Sequence, residues 1–231
     1  MEAKGEAVNG RDLVLGAIRR SLGATGTEAP RRTVTGERLS RHPRGVVPER
    51  GAQSPRKRLN LFRDMLAEAS GTVQEVASLD EVPAAVTAYL RSKNLPMAVR
   101  RGADPLLQSI PWQSEGTLEV SVGRSDGEQL AAVSHAFRGV AETGTLVLTS
   151  GADNPTTLNF LPEHHLVVIE AKDIVGDYET VWDALRKKFG VKLPRTVNWI
   201  TGASRSADIE QVLLHGAHGP MGLHVLVVGK P

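Results

Sequence analysis

Apolar positions along this chain follow two alternating rhythms, helical spacing and short unbroken runs. Leu15, Ile18 and Leu22, with Leu13 and Val14 beside them, predict an amphipathic helix over 11–22 that Gly23 stops. From Gly23 to Pro55 the chain is rich in Arg, Gly, Pro, Thr and Ser and poor in large apolar residues, so little burial offsets the entropy of ordering, and the segment reads as a linker or extended arm. Leu59, Phe62, Leu66 and Ala69 then line one side of a helix over 58–69. Strands are expected at 72–76, 97–100 and 118–122, with a brief helix or turn at 105–110. Two capping-box patterns, Ser78-Leu79-Asp80-Glu81 and Ser125-Asp126-Gly127-Glu128, predict helices running to Leu90 and Ala136. Leu146–Leu148 and His165–Glu170 read as buried strands, with a turn at 153–155 and one helical turn over 158–161 between them. Asp177 caps a helix carrying Val181, Trp182, Leu185 and Phe189, and Gly190 stops it.

The most patterned stretch is 197–228. An apolar run, Val197–Ile200, is followed by Thr201-Gly202-Ala203-Ser204-Arg205-Ser206, and a second run, Leu223–Val228, follows Gly216-Ala217-His218-Gly219-Pro220. Between them Ile209, Val212 and Leu213 fall on one helical face, and Asp208, Gln211 and His215 on another. The expected unit is strand, short helix, strand. The whole alternation predicts an α/β chain with an open, mostly parallel sheet over residues 58–231, preceded by an N-terminal helix and basic arm over 1–57.

Composition narrows the chemistry. Of 231 residues 40% are hydrophobic, enough for one substantial core. No run approaches the ~20 apolar residues of a membrane helix, and the first residues lack the apolar core of a signal peptide, so a cytoplasmic protein is expected. Cysteine is absent, which removes thiol nucleophiles, disulfides and Cys-ligated clusters from this polypeptide. Between Arg19 and Arg58 eleven Lys or Arg face three Glu, a local charge of +8; the chain total is +2, so the rest carries −6. A nucleic-acid arm is disfavoured, because the basic segment 23–55 has no aromatic residue for base stacking.

Two stretches carry candidate chemistry. In a strand–helix–strand unit the turn Gly202–Ser206 would sit at the sheet's carboxyl edge, where helix-start amides attract anions and Arg205 adds a planar cation. The plainer reading is that Ser204 or Ser206 is an N-cap, with Asp208 and Glu210 favoured by the helix dipole. In Glu142-Thr143-Gly144-Thr145 the Glu is either a reactive carboxylate, with Gly144 allowing close approach, or a solvated turn residue; spacing alone favours the second. His164 and His165 are adjacent, so on a strand they point to opposite faces and do not chelate one metal; no metal site is expected.

Taken in order, Ala141-Glu142-Thr143-Gly144-Thr145, Leu161-Pro162-Glu163-His164-His165, Gly202 to Glu210 and Gly216-Ala217-His218-Gly219-Pro220 resemble the lactate-utilisation protein C family, the LUD domain, over about residues 58–229. Ser206 and Ala217 stand where the family commonly has Thr and a branched residue. The resemblance implies a Rossmann-like fold similar to the sugar-phosphate isomerase and CoA-transferase superfamily. It also implies a role in a three-protein system oxidising L-lactate to pyruvate. No cofactor is expected in this chain; the iron–sulfur clusters would belong to partner proteins. On that reading Arg205, with the backbone near Gly202, Ser204, Ser206 and Gly219, holds a small anion such as lactate, Asp208 orients Arg205 or Ser204, and Asp208 and Glu210 count among the ligand-binding residues. Glu142, Thr143, Gly144 and Thr145 supply a polar lid or base, and His215 and His218 are candidates for proton transfer. The alternatives are a stand-alone enzyme handling acyl-CoA or phosphosugars, with Glu142 as acyl acceptor, and a non-catalytic ligand-binding scaffold.

Overall fold

The computed structural model describes residues 9–209 and 212–231, without the side chains of 207–214. The chain divides into two units, 1–46 and 47–231. In the first, α1 (Gly10–Leu22) starts where the Asn9 side chain accepts from Arg11 N–H and ends at Gly23, which adopts φ +56. Residues 29–41, expected as extended arm, form a second helix, α2 (Ala29–Arg41). Local chemistry explains it: Pro30 sits in the first turn with its φ already helical, and the Glu28 carboxylate gathers the N–H groups of Thr25 and Gly26 into the preceding turn. Neither helix has a buried residue, so local preference rather than a core supports them.

The second unit runs α3 (Pro55–Glu68), β1 (Gly71–Val76), α4 (Val82–Ser92), β2 (Ala98–Arg101), α5 (Pro105–Ser109), β3 (Glu119–Val122), β4 (Ala131–His135), β5 (Arg138–Val140), β6 (Thr145–Thr149), β7 (His164–Glu170), β8 (Ile174–Val175), α6 (Tyr178–Phe189), β9 (Val197–Thr201), β10 (Arg205–Ile209), β11 (Val212–His215) and β12 (Gly222–Val228). Six strands form a parallel sheet in the order β1-β12-β7-β4-β2-β3, the expected fold class. Its central strands are covered on both faces. Leu166, Val168, Leu226 and Val228 meet Val86 and Leu90 of α4 and Trp112; Val167, Ile169, Val225 and Val227 meet Leu59, Phe62 and Leu66 of α3. That is why β7 and β12 are legible as unbroken apolar runs, each such side chain being worth about 1.5–3 kcal/mol when buried.

Over the α3 face lies a second sheet, β8-β5-β6-β9, in which β6 pairs antiparallel with both β5 and β9. Its inner side chains Leu146 and Leu148 join the α3 cluster, while Val140 and Val147 pack against Val181 and Leu185 of α6. Asp177 caps α6 as expected, its carboxylate accepting from Thr180 N–H at 2.8 Å.

Two expected helices are strands. Residues 131–135 form β4, inserted between β7 and β2, with Ala131, Ala132 and Val133 all buried, which a helix with a polar face would not allow. The Ser125 hydroxyl bonds Gln129 in a local turn instead of opening a helix with Glu128. Residues 205–209 and 212–215 pair as antiparallel strands, β10 and β11, in place of the helix expected between the two apolar runs; Glu210 and Gln211 lie outside the described residues. The run at 197–200 and the run at 223–228 therefore do not share a sheet: β9 pairs with β6, and β12 sits between β1 and β7.

Candidate functional site at the amino end of the parallel sheet

The turn that leaves β9 is fixed by close backbone approach. Gly202 has φ +78, and a Cβ there would stand 1.9 Å from the Ala69 carbonyl oxygen at the end of α3. The next amide, Ala203 N–H, donates to that same carbonyl at 3.2 Å. Ser204 then ties the turn to the 216–220 loop. Its N–H donates to Pro220 O at 2.8 Å, its carbonyl accepts from Gly216 N–H at 2.9 Å, and its hydroxyl accepts from His218 N–H at 3.3 Å.

Beneath this turn is a cavity of about 360 Å3. Its floor is made by His165 and Leu223, paired residues at the starts of β7 and β12; its walls include Asn159, Ile200 and Thr201, and Gly202, Ser204, Arg205, His218 and Gly219 form its rim. The site thus lies at the amino ends of the parallel strands. The carboxyl-edge position expected for it does not hold, because β9 belongs to the other sheet and runs its own carboxyl end over the starts of β7 and β12. The expected free helix-start amides are also missing: no helix follows the turn, and the amides of Ala203 and Ser204 already have protein acceptors.

Two features remain available to a ligand. Arg205 is exposed, has no carboxylate partner among the described residues, and reaches only Ser70 Oγ and Glu68 O at the long distances of 3.4 and 3.5 Å. His165 is 1% exposed, and among the described residues neither ring nitrogen has a hydrogen-bond partner. Burial pushes its pKa down to about 3, so it is a neutral imidazole, one nitrogen a donor and the other an acceptor. A buried polar group with two unmet bonds costs free energy, and here it faces a cavity large enough for a small molecule.

The Glu142 loop lies at the same end of the small sheet, since Thr145 pairs with Thr201. The link is a run of hydroxyls: Thr143 to Thr145 at 2.7 Å, both to Tyr178 at 2.9 Å, and Thr145 to Thr201, a wall residue, at 2.6 Å. Gly144, at φ +65, presses on the backbone of Leu66. The Glu142 carboxylate turns inward: the residue is 3% exposed, Oε1 accepts from Tyr178 N–H at 3.4 Å, Oε2 has no partner, and it does not line the cavity. The solvated turn that spacing favours is thereby corrected, because the loop packs between α3 and the start of α6.

Of the remaining sequence candidates, His215 is exposed on β11 opposite Arg205, and Ser206 pairs with Leu214. The side chain of Asp208 and all of Glu210 lie outside the described residues. His165 was not among the candidates, although Leu161-Pro162-Glu163-His164-His165 contains it. Its neighbour His164 does point to the opposite face, where its Nδ1 meets Tyr89 OH at 2.9 Å. Among the described residues no group of three or more His, Asp or Glu is placed to hold a metal ion, and no helix is long and apolar enough to cross a membrane.

An open parallel sheet with a mixed sheet laid on one face and a cavity where the two meet defines an α/β protein. Residues 122–228 match the LUD domain. Among similar proteins are Lactate utilization protein C of Bacillus subtilis (strain 168), 35% identical over 48% of this chain and 50% of that protein, and Lactate utilization protein C of Deinococcus radiodurans, 27% identical over 86% and 91%. An uncharacterized protein of Neisseria meningitidis serogroup B is 34% identical over 61% of this chain and 54% of its own. The chain spans about half the length of the Bacillus relative and of several others it matches. A crystal structure of a DUF162 family protein from Deinococcus radiodurans superposes with a TM-score of 0.55 over 77% of this chain and 99% of its own, at 24% identity, and shows the same fold.

Proposed function

We propose that this chain serves lactate utilization as a subunit of an L-lactate-oxidising assembly, and that the cavity beneath Gly202–Arg205 holds the small hydroxy acid. The observation that carries the reading is His165, a fully buried neutral imidazole with both nitrogens unpartnered among the described residues, set in a cavity rimmed by Arg205, which meets no carboxylate among those residues. Arg205 offers a bidentate fork to a carboxylate, and His165 offers an acceptor and a donor to a hydroxyl or keto oxygen. The names of the relatives supply the metabolic context. Oxidation of lactate to pyruvate removes two electrons and two protons. Iron–sulfur clusters need thiolate ligands, and with no cysteine this chain does not fit them, so on this reading electrons pass to cluster-bearing partner proteins.

The test is L-lactate binding to the isolated chain, by calorimetry or by chemical-shift titration, alongside lactate-dependent reduction of a dye with and without the partners. Binding is expected without partners, weakened at least about tenfold in Arg205→Ala, as loss of a charge-assisted hydrogen bond implies. Dye reduction is expected only with partners. Turnover by the isolated chain would defeat the subunit reading, and absence of binding would defeat the cavity assignment. The geometry lends nothing to an acyl-accepting Glu142, whose carboxylate is shut away from the cavity.

A further inference from the structure

The opposite, carboxyl end of the parallel sheet has a crevice of its own. After β2 the chain passes through Gly102–Asp104 into α5, whose Leu107 joins the core on the α4 face; after β4 it passes through Ala136 towards β5 and β6, which join the core on the α3 face. Neighbouring strands thus send their connections to opposite faces, and this opens a gap between their carboxyl ends. The gap is narrow beside Gly102, where a Cβ would stand 2.1 Å from the Asp153 carbonyl oxygen.

One side chain from each connection meets across it. Asp104 Oδ1 lies 3.0 Å from His135 Nδ1 and also accepts from Leu106 N–H at 3.0 Å, while Oδ2 accepts from Asn154 Nδ2 at 3.0 Å. Burial alone would raise the Asp104 pKa, but the His135 hydrogen bond and charge, with Asn154 and the Leu106 amide, hold it down to about 2, so the carboxylate stays ionised. An ionised carboxylate on Nδ1 holds a proton there and fixes the ring's orientation, so that Nε2 is the nitrogen left over. Among the described residues Nε2 has no partner, and the ring lines a cavity of about 260 Å3.

The charged groups around this cavity are Asp104, Asp173, Arg138 and Lys188. Arg138 is already committed, to Asp173 at 2.7 Å and to the Phe137 carbonyl at 2.6 Å. Lys188 is not. Its ammonium rests over the rings of Phe137 and Phe189, at 4.9 and 5.3 Å, and meets no carboxylate among the described residues. A helix cap at Asp104 needs only the Leu106 amide; it does not need an imidazole whose second nitrogen opens into a cavity beside an uncommitted cation.

We propose that this crevice is a second ligand site, separate from the cavity under Arg205, that takes a small hydroxylated anion. Lys188 meets the negative group and His135 Nε2 hydrogen-bonds the hydroxyl, with Asp104 as the positioning residue for the ring. The proposal does not depend on the reading of the first cavity.

The test is side-chain nitrogen NMR of His135 in the full chain, titrated separately with L-lactate, glycerol 3-phosphate and acetate. The ligand-free protein is expected to show Nδ1 protonated. A saturable shift of Nε2 is expected with L-lactate or with glycerol 3-phosphate, which separates a carboxylate from a phosphate ligand, and not with acetate, which has no hydroxyl. Lys188→Ala, a surface change, is expected to weaken that binding at least about tenfold, and Arg205→Ala to leave it unchanged. No shift with either hydroxylated anion, an undiminished shift in Lys188→Ala, or loss of the shift in Arg205→Ala would each overturn the proposal, the last because the effect would then belong to the first cavity.

Discussion

A methyl group on residue 202 meets two obstacles at once. It would stand 1.9 Å from the Ala69 carbonyl oxygen, and it would force an L side chain to hold φ +78. Left-handed backbone costs about 1–2 kcal/mol and overpacking about 1–3, so Gly202→Ala is expected to lower unfolding free energy by roughly 2–5 kcal/mol in urea titrations. At Gly219, on the same rim, a Cβ would make ordinary 3.6 Å contact with Ser204 and the backbone is unconstrained, so Gly219→Ala should stay within about 0.5 kcal/mol of the parent. His165 reverses the usual sign. Because both its nitrogens are buried and unmet, His165→Leu removes an unsatisfied polar group from the empty protein. Stability is expected to rise by about 1 kcal/mol while L-lactate binding is lost. A destabilised His165→Leu that still binds lactate would mean that the ring is packing material and the ligand sits elsewhere.

At the scale of elements, legibility in the sequence depends on how many neighbours an element needs. Asp177 and Gly190 mark the ends of α6 by contacts made within that helix, and Ser78 opens the 79–92 helical segment in the same way, with Glu81 reaching back to the amide of Ala77. β7 and β12 were legible because burial on both faces leaves no polar alternation. Residues 131–135 and 205–215 were not. Each is a short stretch of mixed polarity that fits either rhythm, and the choice was made by a partner strand far along the chain, β7 at 164–170 for the first, or by pairing on itself for the second. The site divides similarly. The small-residue turn 202–205 with His218 and Gly219 could be named from composition; His165 could not, since its role comes from which face of β7 the second sheet covers. Local capping also gives a measurable effect. Asp177 accepts from both the amide and the hydroxyl of Thr180 and sets Tyr178, the hub of the Thr143–Thr145–Thr201 hydroxyl run, at the helix start. Asp177→Ala is expected to cost about 1 kcal/mol, read from the urea midpoint, and Asp177→Asn less than half of that.

Across the whole molecule, three histidines cluster at the amino end of the parallel sheet, His165 on one face and His164 and His224 on the other, where Tyr89 stacks on His224 at 4.5 Å and Thr72 Oγ1 meets its Nδ1 at 2.8 Å. Burial lowers the pKa of all three, to about 3 for His165 and about 4 for His224, with Lys93 adding to the shift on His164 and His224. The folded values lie below the ordinary value near 6.5, so between them the unfolded chain binds more protons than the folded one. Stability is then fully present above about pH 6.5 and declines as pH falls below it, by up to roughly 1.4 kcal/mol per pH unit for each proton involved. Asp104 acts lower on the scale: its folded pKa of about 2 lies under the usual 3.8, so its contribution is full above about 3.8, declines as pH falls from there and is gone below about 2. Acid unfolding should therefore begin with the histidines, well before carboxylates titrate. Urea midpoints at pH 7.5 and pH 5.5 are expected to differ clearly, and His224→Gln, which removes one of the titrating rings, should flatten the slope between them even if it lowers stability at both. Saturating L-lactate should raise both midpoints and leave the slope between them unchanged, since it binds the folded state alone and His165, with its folded pKa of about 3, is neutral at both pH values. A slope indifferent to His224→Gln would assign the acid sensitivity to groups other than this cluster.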